Sequence, residues 1–225
     1  VKISNALGIH MKLISMSLYG DKVSYLKGAI INARLREEIY PDWKLRIYIC
    51  SQGFPAPEIT ELRNSGCELI EMPPSKEHSG MFWRFFSAWD IGIERVIFRD
   101  TDSRLNKREA MAVKEWEESG LDAHCMKDHP HHARMPMLGG MWGIKNYILP
   151  RALFNQVKVI SNNSVKRVGD MHFLANKVHP LIEGSILRHS SVETKWPHVP
   201  FPEGSEIDGF VGQQYNENGG INPTP

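Results

Sequence analysis

KLISMSLYG (12–20), SYLKGAIINARLREEIY (24–40) and KLRIYICS (44–51) follow one another with short polar breaks, and the order of their patterns decides the fold. The first is an apolar run closed by Gly20, as a buried strand entering a turn would be. The second places Leu26, Ile30, Ala33 and Ile39 near helical spacing and stops before Pro41. The third reads as strand again. A strand, a crossover helix and a second strand make a β-α-β unit with parallel strands. PEITELRNSG (57–66) then predicts a short helix closed by Gly66, CELIEMP (67–73) a third strand stopped by prolines, MFWRFFSAWDI (81–91) a helix with an aromatic face, and RVIFRD (95–100) a fourth strand. Four such alternations imply an α/β fold with a mostly parallel sheet covered by helices.

Beyond residue 100 the pattern changes. KREAMAVKEWEESG (107–120) predicts a helix, and AHCMKD (123–128) and LGGMWGIK (138–145) predict strands on either side of a loop rich in His and Pro, so antiparallel additions are expected in this half. PRALFNQVKVI (150–160) and DMHFLANKVHPLI (170–182) predict helices, and SILRHS (185–190) a last strand. Because His10 precedes Met11 and an apolar strand begins at once, residues 1–10 are expected to be a leader outside the fold. A single domain is expected over 11–212. The Pro- and Gly-rich segment that begins at Trp196 is expected to drape over it, with 213–225 a tail or linker.

Composition narrows the function. Lys and Arg total 27 against 26 Asp and Glu, so no basic surface argues for nucleic acid, and an anionic ligand must be held locally. Cys50, Cys67 and Cys125 are too few and too scattered for a disulfide framework, which favours a reducing compartment, the cytoplasm. No apolar stretch approaches the ~18 residues of a membrane span. HCMKDHPHH (124–132) crowds histidines around Cys125, but no second cluster at ligand spacing completes a zinc set.

The chemistry gathers in VIFRDTDSRL (96–105), where an apolar strand runs into Asp100, Thr101 and Asp102. Two carboxylates one residue apart repel each other and resist desolvation, and a divalent cation removes that conflict. In open α/β sheets ligands bind beyond the carboxyl ends of the strands, where this pair stands. Mg²⁺ or Mn²⁺ characteristically combines one or two carboxylates with water and substrate phosphate oxygens, so the pair points to a phosphate-bearing substrate. Arg84, a lone cation among the aromatics of GMFWRFF, is a candidate bidentate donor to a diphosphate or sugar, and Ser103 and Arg104 are candidates for ribose or sugar contacts.

An apolar strand entering D-x-D-S-R, with GMFWRF (80–85) before it, KDHPHH (127–132) and LGGMWG (138–143) after it, resembles the compact GT-A glycosyltransferases of bacterial surface-polysaccharide clusters and large algal viruses. The resemblance runs from Met11 to Gly212. It implies a GT-A fold in which Asp100 and Asp102 hold Mn²⁺ (or Mg²⁺) on the diphosphate of a nucleotide-sugar, UDP-linked, whose sugar passes to a glycan or glycoprotein acceptor. It also implies a protein of the cytoplasm (the host's, for a virus), and the tail would suit one module of a longer polypeptide. The turn Ser17, Leu18, Tyr19 and Gly20 falls where the resemblance puts the nucleotide, and Thr101 and Ser103 lie within and beside the metal motif. Asp128 and His129 would line the sugar or acceptor side. Gly139 and Gly140 would let backbone approach the donor sugar, and Trp142 would supply an apolar platform.

GDMHFL (169–174) stands where such enzymes often carry Asp-Gln-x-Phe-Leu, so Asp170 matches the Asp, while Met171 replaces the amide. Asp170 is the candidate acceptor-side carboxylate, a base or a stabiliser of the oxocarbenium-like centre, against the plainer reading of a helix N-cap. Two carboxylates and two phosphate oxygens leave an octahedral cation short of ligands, and the resemblance places a late His there. His189 matches that placement better than His179, in a helix, or His198, in the Pro-rich tail. Two rival classes remain: a HAD-type phosphatase, whose D-x-D normally opens its domain and whose first Asp is a nucleophile, and a sugar-nucleotide or glycan-binding module without catalysis.

Overall fold

The computed structural model describes residues 11–222. The expected leader at 1–10 and the last three residues of the tail lie outside the described residues.

Seven strands form one sheet in the order β3-β2-β1-β4-β6-β5-β7. β1 (Met11–Leu18) pairs in parallel with β2 (Trp43–Ile49) on one side and β4 (Ile93–Phe98) on the other, and β3 (Glu68–Glu71) extends the parallel set beyond β2. β6 (Trp142–Lys145) runs antiparallel between β4 and β5 (Ala123–Lys127), and β7 (Ile186–Ser190) closes that edge parallel to β5. The chain leaves β1 towards β2 and later returns to pair β4 on its other side, so the strand order reverses at β1 and β4. The crevice at their carboxyl ends is the place where such sheets take ligands.

Helices cover both faces. α1 (Val23–Ile39), α2 (Ala56–Asn64) and α3 (Lys107–Ser119) pack Leu26, Ile30, Leu62 and Trp116 against Ile14, Met16, Leu18 and Ile47. The opposite face is covered by α4 (Arg151–Ser161), α5 (Gly169–Phe173), a π-helical turn at Leu174–Val178, and α6 (His179–Ile182), with Phe82 and Phe85 packed against Phe98 and Trp142. Each such side chain taken fully out of water contributes about 1.5–3 kcal/mol. No helix among the described residues is long and apolar enough to cross a membrane.

Three elements differ from their sequence expectation. The expected α-helix at 81–91 is a 3₁₀-helix, Ser79–Trp89, buried along most of its length. Its backbone is held from β1: Ser15 Oγ donates to the Arg84 carbonyl at 2.8 Å, and the Arg84 N–H donates to Ser17 Oγ at 2.9 Å. Strand hydroxyls therefore meet backbone groups that an α-helix would satisfy internally. The expected helix at 170–182 widens into its π-turn just ahead of Pro180, which has no N–H to give. The expected strand at 138–145 narrows to Trp142–Lys145, because Leu138–Met141 form a turn closed by the Met141 N–H on the Leu138 carbonyl at 3.2 Å.

Candidate active site

The acidic turn leaves β4 on a rigid foundation. Arg99, only 1% exposed, donates from Nε to Glu109 on α3 at 3.1 Å and from Nη1 to the carbonyls of Phe98 at 2.8 Å and Trp142 at 3.3 Å. Glu109 also accepts from Tyr40 at 3.1 Å. From the other side the buried amide of Asn32 on α1 donates to the Ser103 carbonyl at 2.9 Å and accepts the Leu105 N–H at 3.0 Å. Gly28 brings α1 so close that a Cβ there would collide with the Thr101 carbonyl. Within the turn Ser103 Oγ donates to the Asp100 carbonyl at 2.9 Å. These bonds fix the backbone, and the two carboxylates follow from it.

Arg84 meets Asp100 with Nη1, while its Nη2 donates to Asp170 Oδ2 at 2.8 Å. One guanidinium thus ties the end of β4 to the start of α5. Gly139 and Gly140 close on this triad, since a Cβ at Gly140 would strike Asp100 Oδ2 and one at Gly139 would strike Asp170 Oδ2. Asp170 is buried, and that burial raises its pKa against the pull of Arg84. Among the described residues Asp102 has no such partner. It is 8% exposed, and burial, with the Asp100 charge added, pushes it up to about 7. Among the described residues no group of three or more His, Cys, Asp or Glu could hold a metal ion, so a cation here would take protein oxygens from the acidic pair and the rest from substrate or water. The residues fit such an ion, because a dication supplies the positive charge that Asp102 lacks.

No protein-family model matches the chain, and no curated protein does. Solved structures do. The mannosyltransferase PcManGT from Pyrobaculum calidifontis, in complex with GDP-Man and Mn²⁺, is similar with a TM-score of 0.52 at 11% identity, over 86% of this chain and 58% of that one. S. aureus TarS 1–349 gives 0.51 at 13% identity, over 84% and 60%. The chain therefore spans less than two thirds of either. The 4-diphosphocytidyl-2C-methyl-D-erythritol synthase from Anaerococcus prevotii gives 0.51 at 10% identity, over 88% and 90%. The chain has the GT-A fold. At these identities the likeness is one of architecture.

Within this GT-A sheet the residues singled out from sequence divide into two groups. Arg84, Asp100, Asp170, Gly139 and Gly140 come together, with Asp102 and Ser103 on the same turn and Tyr19 at the rim, its ring against Gly80 and edge-on to Trp83 at 5.9 Å. Burial raises the Tyr19 hydroxyl pKa, and Arg84, Asp100 and Asp170 all act on it. Gly20 follows at the surface with φ 80°. Thr101 is buried, and its carbonyl faces Asn32.

The other group is engaged in contacts of its own. Ser17 is spent on the Arg84 N–H, and Leu18 is a fully buried core side chain whose carbonyl accepts from Cys50, so neither side chain is open to a nucleotide. Trp142 is 1% exposed and stacks on Phe98 at 4.4 Å, which makes it core instead of a sugar platform. Asp128 is paired bidentately with Arg108 at 2.8 and 3.0 Å and accepts the Val211 N–H at 2.9 Å, fastening the C-terminal segment. His129 caps the short 3₁₀-turn Pro130–Arg134 and lies against Phe210. His189 is wholly buried with both nitrogens engaged, Nδ1 with His124 at 2.9 Å and Nε2 with Glu115 at 2.8 Å, so the expected third metal ligand is occupied elsewhere.

Sequence reasoning missed Arg99, Asn32, Gly28 and Ser15, which set the turn and the Arg84 helix. Arg99 alone left a signal, as a charge inside an apolar strand end. The tail was also underread: the Tyr215 N–H donates to the Asp102 carbonyl at 2.9 Å, and its ring carries the Arg104 guanidinium at 4.8 Å.

Proposed function

We propose that the chain is a glycosyltransferase that moves a sugar from a nucleotide-sugar, UDP-linked, to a glycan or glycoprotein acceptor, with Mn²⁺ or Mg²⁺ held by Asp100 and Asp102. The observation that carries this reading is the acidic pair at the end of β4, with Asp102 buried and unpaired beside an Arg84 that bridges Asp100 to Asp170. When bound, the cation would offset the negative charge that the diphosphate gains as the bond from sugar C1 to phosphate oxygen breaks. A further support is that PcManGT, of the same fold, is seen with GDP-Man and Mn²⁺.

The protein's own groups then have distinct tasks. Both Nη atoms of Arg84 are engaged by carboxylates, so it orients Asp100 and Asp170 instead of gripping the donor. Gly139 and Gly140 let their backbone close directly on the two carboxylates, with no side chain to push either one aside. Asp170 presents a buried carboxylate on the acceptor side, where it can accept a proton from the attacking hydroxyl or stabilise positive charge at C1. Tyr19 gives the rim an aromatic face for the base.

A panel of nucleotide-sugars, incubated with Mn²⁺ and with a chelator, tests the reading. Metal-dependent release of nucleoside diphosphate is expected. Phosphate release from a phosphomonoester would point instead to the phosphatase class, pyrophosphate release from a nucleoside triphosphate to nucleotidyl transfer, and binding without turnover of any donor to a non-catalytic module.

A further inference from the structure

The edge of the sheet farthest from β3 carries two cations that the mechanism does not use. Among the described residues five arginines are buried: Arg46, Arg84, Arg95, Arg99 and Arg188. The first four each have a carboxylate partner. Arg188 on β7 has none among the described residues: Nη2 bonds His179 Nε2 at 2.9 Å, and its buried Nε has no hydrogen-bond partner. Beside it on β5 stands Lys127, the only buried lysine among the described residues, 2% exposed. Its Nζ donates to Thr194 Oγ1 at 3.1 Å and lies 3.8 Å from the centre of the Trp196 ring, again with no carboxylate.

Strand register puts the two on one face. Cys125 pairs with Arg188 and Lys127 with Ser190, so Lys127 and Arg188 are diagonal neighbours, and burial above all, with Arg188 and Lys195 close by, brings Lys127 down to about 8. Burying two like charges without a counterion costs stability, and buried charges are ordinarily paired. A site that accepts that cost is built for an anion brought from outside.

The position of the cations limits which anion. β5 and β7 lie two and three strands from β4, on the order of 10 and 14 Å across the sheet, beyond the reach of a diphosphate held at Asp100 and Asp102. The face they occupy is the one covered by α6, which continues the helical run begun at Asp170 on the acceptor side. Trp196, half-buried, carries Lys127 Nζ at 3.8 Å and Lys195 Nζ at 4.7 Å from its ring centre, a third cation at the same place, and its exposed part adds an apolar surface for a sugar ring.

We propose that Lys127, Arg188 and Trp196 form a subsite for an oxyanion, carboxylate or phosphate, carried by a sugar of the acceptor; this rests on the transferase reading above. The subsite makes an acidic glycan the acceptor class.

Binding measured by calorimetry with neither nucleotide nor metal tests it. The probes are glucuronic acid, glucose 6-phosphate, glucose and inorganic phosphate, each at up to tens of millimolar. The two charged sugars are expected to bind, glucose not to, and inorganic phosphate to bind more weakly than either, since it has no ring for Trp196. Lys127→Gln and Arg188→Gln should each weaken the charged sugars by about tenfold or more. Arg188→Lys should retain most of the binding, and Asp102→Asn should leave it unchanged. Because each Gln variant removes an uncompensated buried charge, it should melt no lower than the wild type at neutral pH. Three results would overturn the proposal: no binding of either charged sugar, binding equal in the Gln variants, or inorganic phosphate binding as tightly as the sugars, which would make this a site for free phosphate. None of them touches the donor chemistry, so the transferase reading would stand or fall separately by its own assay.

Discussion

Asp100 and Asp102 carry the same charge one residue apart, and the protein resolves the conflict for only one of them. Asp100 is 47% exposed at its side chain and leans on Arg84, whereas Asp102 is buried without a cation. Asp102→Asn should therefore abolish metal-dependent donor turnover, by about 100-fold or more, while the melting temperature holds or rises. Asp100→Asn should lose activity comparably but gain no stability, since it gives up its bond to Arg84. Donor turnover with and without Mn²⁺ beside a thermal melt checks both, and near-wild-type turnover in the pair of variants would sink the metal-clamp reading. Gly140→Ala is the companion test. Its methyl group must displace the Asp100 carboxylate, so turnover should fall by tenfold or more (about 1.4 kcal/mol of lost orientation) with a smaller effect on stability. Ser103 and the Asp pair were legible because a strand-end D-x-D is local in sequence. Arg84's bridge to Asp170 spans 86 residues, and no spacing rule reports such a distance.

At the scale of elements, β5 and β7 share a buried run of rings. His124 is stacked on Trp116, bonded to His189, and through it reaches Glu115 on α3. Burial lowers the pKa of His124 well below the usual histidine range, with His189 and Arg99 adding to it. Burial likewise lowers His189 and brings His132 down to about 4. Histidines of the unfolded chain titrate near ~6.5, so below that pH the unfolded state takes up protons that the folded state refuses. The stability these groups contribute is complete above ~6.5 and is lost as pH falls towards the folded values. The melting temperature should thus decline between about pH 6.5 and 5, and His124→Gln, which keeps a donor but cannot titrate, should flatten that slope. An identical slope in the variant would place the acid sensitivity elsewhere. His189 was misassigned from sequence for a related reason. Period-2 alternation separates Arg188 from His189 across the sheet, but it does not say which face looks towards which neighbour.

Across the whole molecule the β-α alternation was readable because each unit announces itself within about thirty residues through apolar periodicity and Gly or Pro punctuation. The order of β6, β5 and β7 was not, since it depends on non-local pairing that leaves no local mark. The 3₁₀-helix at Ser79–Trp89 escaped for the same reason: its geometry answers to Ser15 and Ser17, more than sixty residues upstream.

The hydrogen bond from Tyr215 to the Asp102 carbonyl makes one amide of the C-terminal segment a clock for the acidic turn. Its proton can swap for deuterium only when that bond opens, and the bond opens when the turn shifts or the segment lifts. Adding Mn²⁺ and a nucleotide-sugar should therefore change the exchange rate at Tyr215 while leaving amides deep in β2 unaltered. Exchange followed amide by amide, by NMR or by fragmenting the C-terminal peptide, would read this directly. An unchanged Tyr215 amide at saturating donor would mean that the segment and the carboxylates move independently.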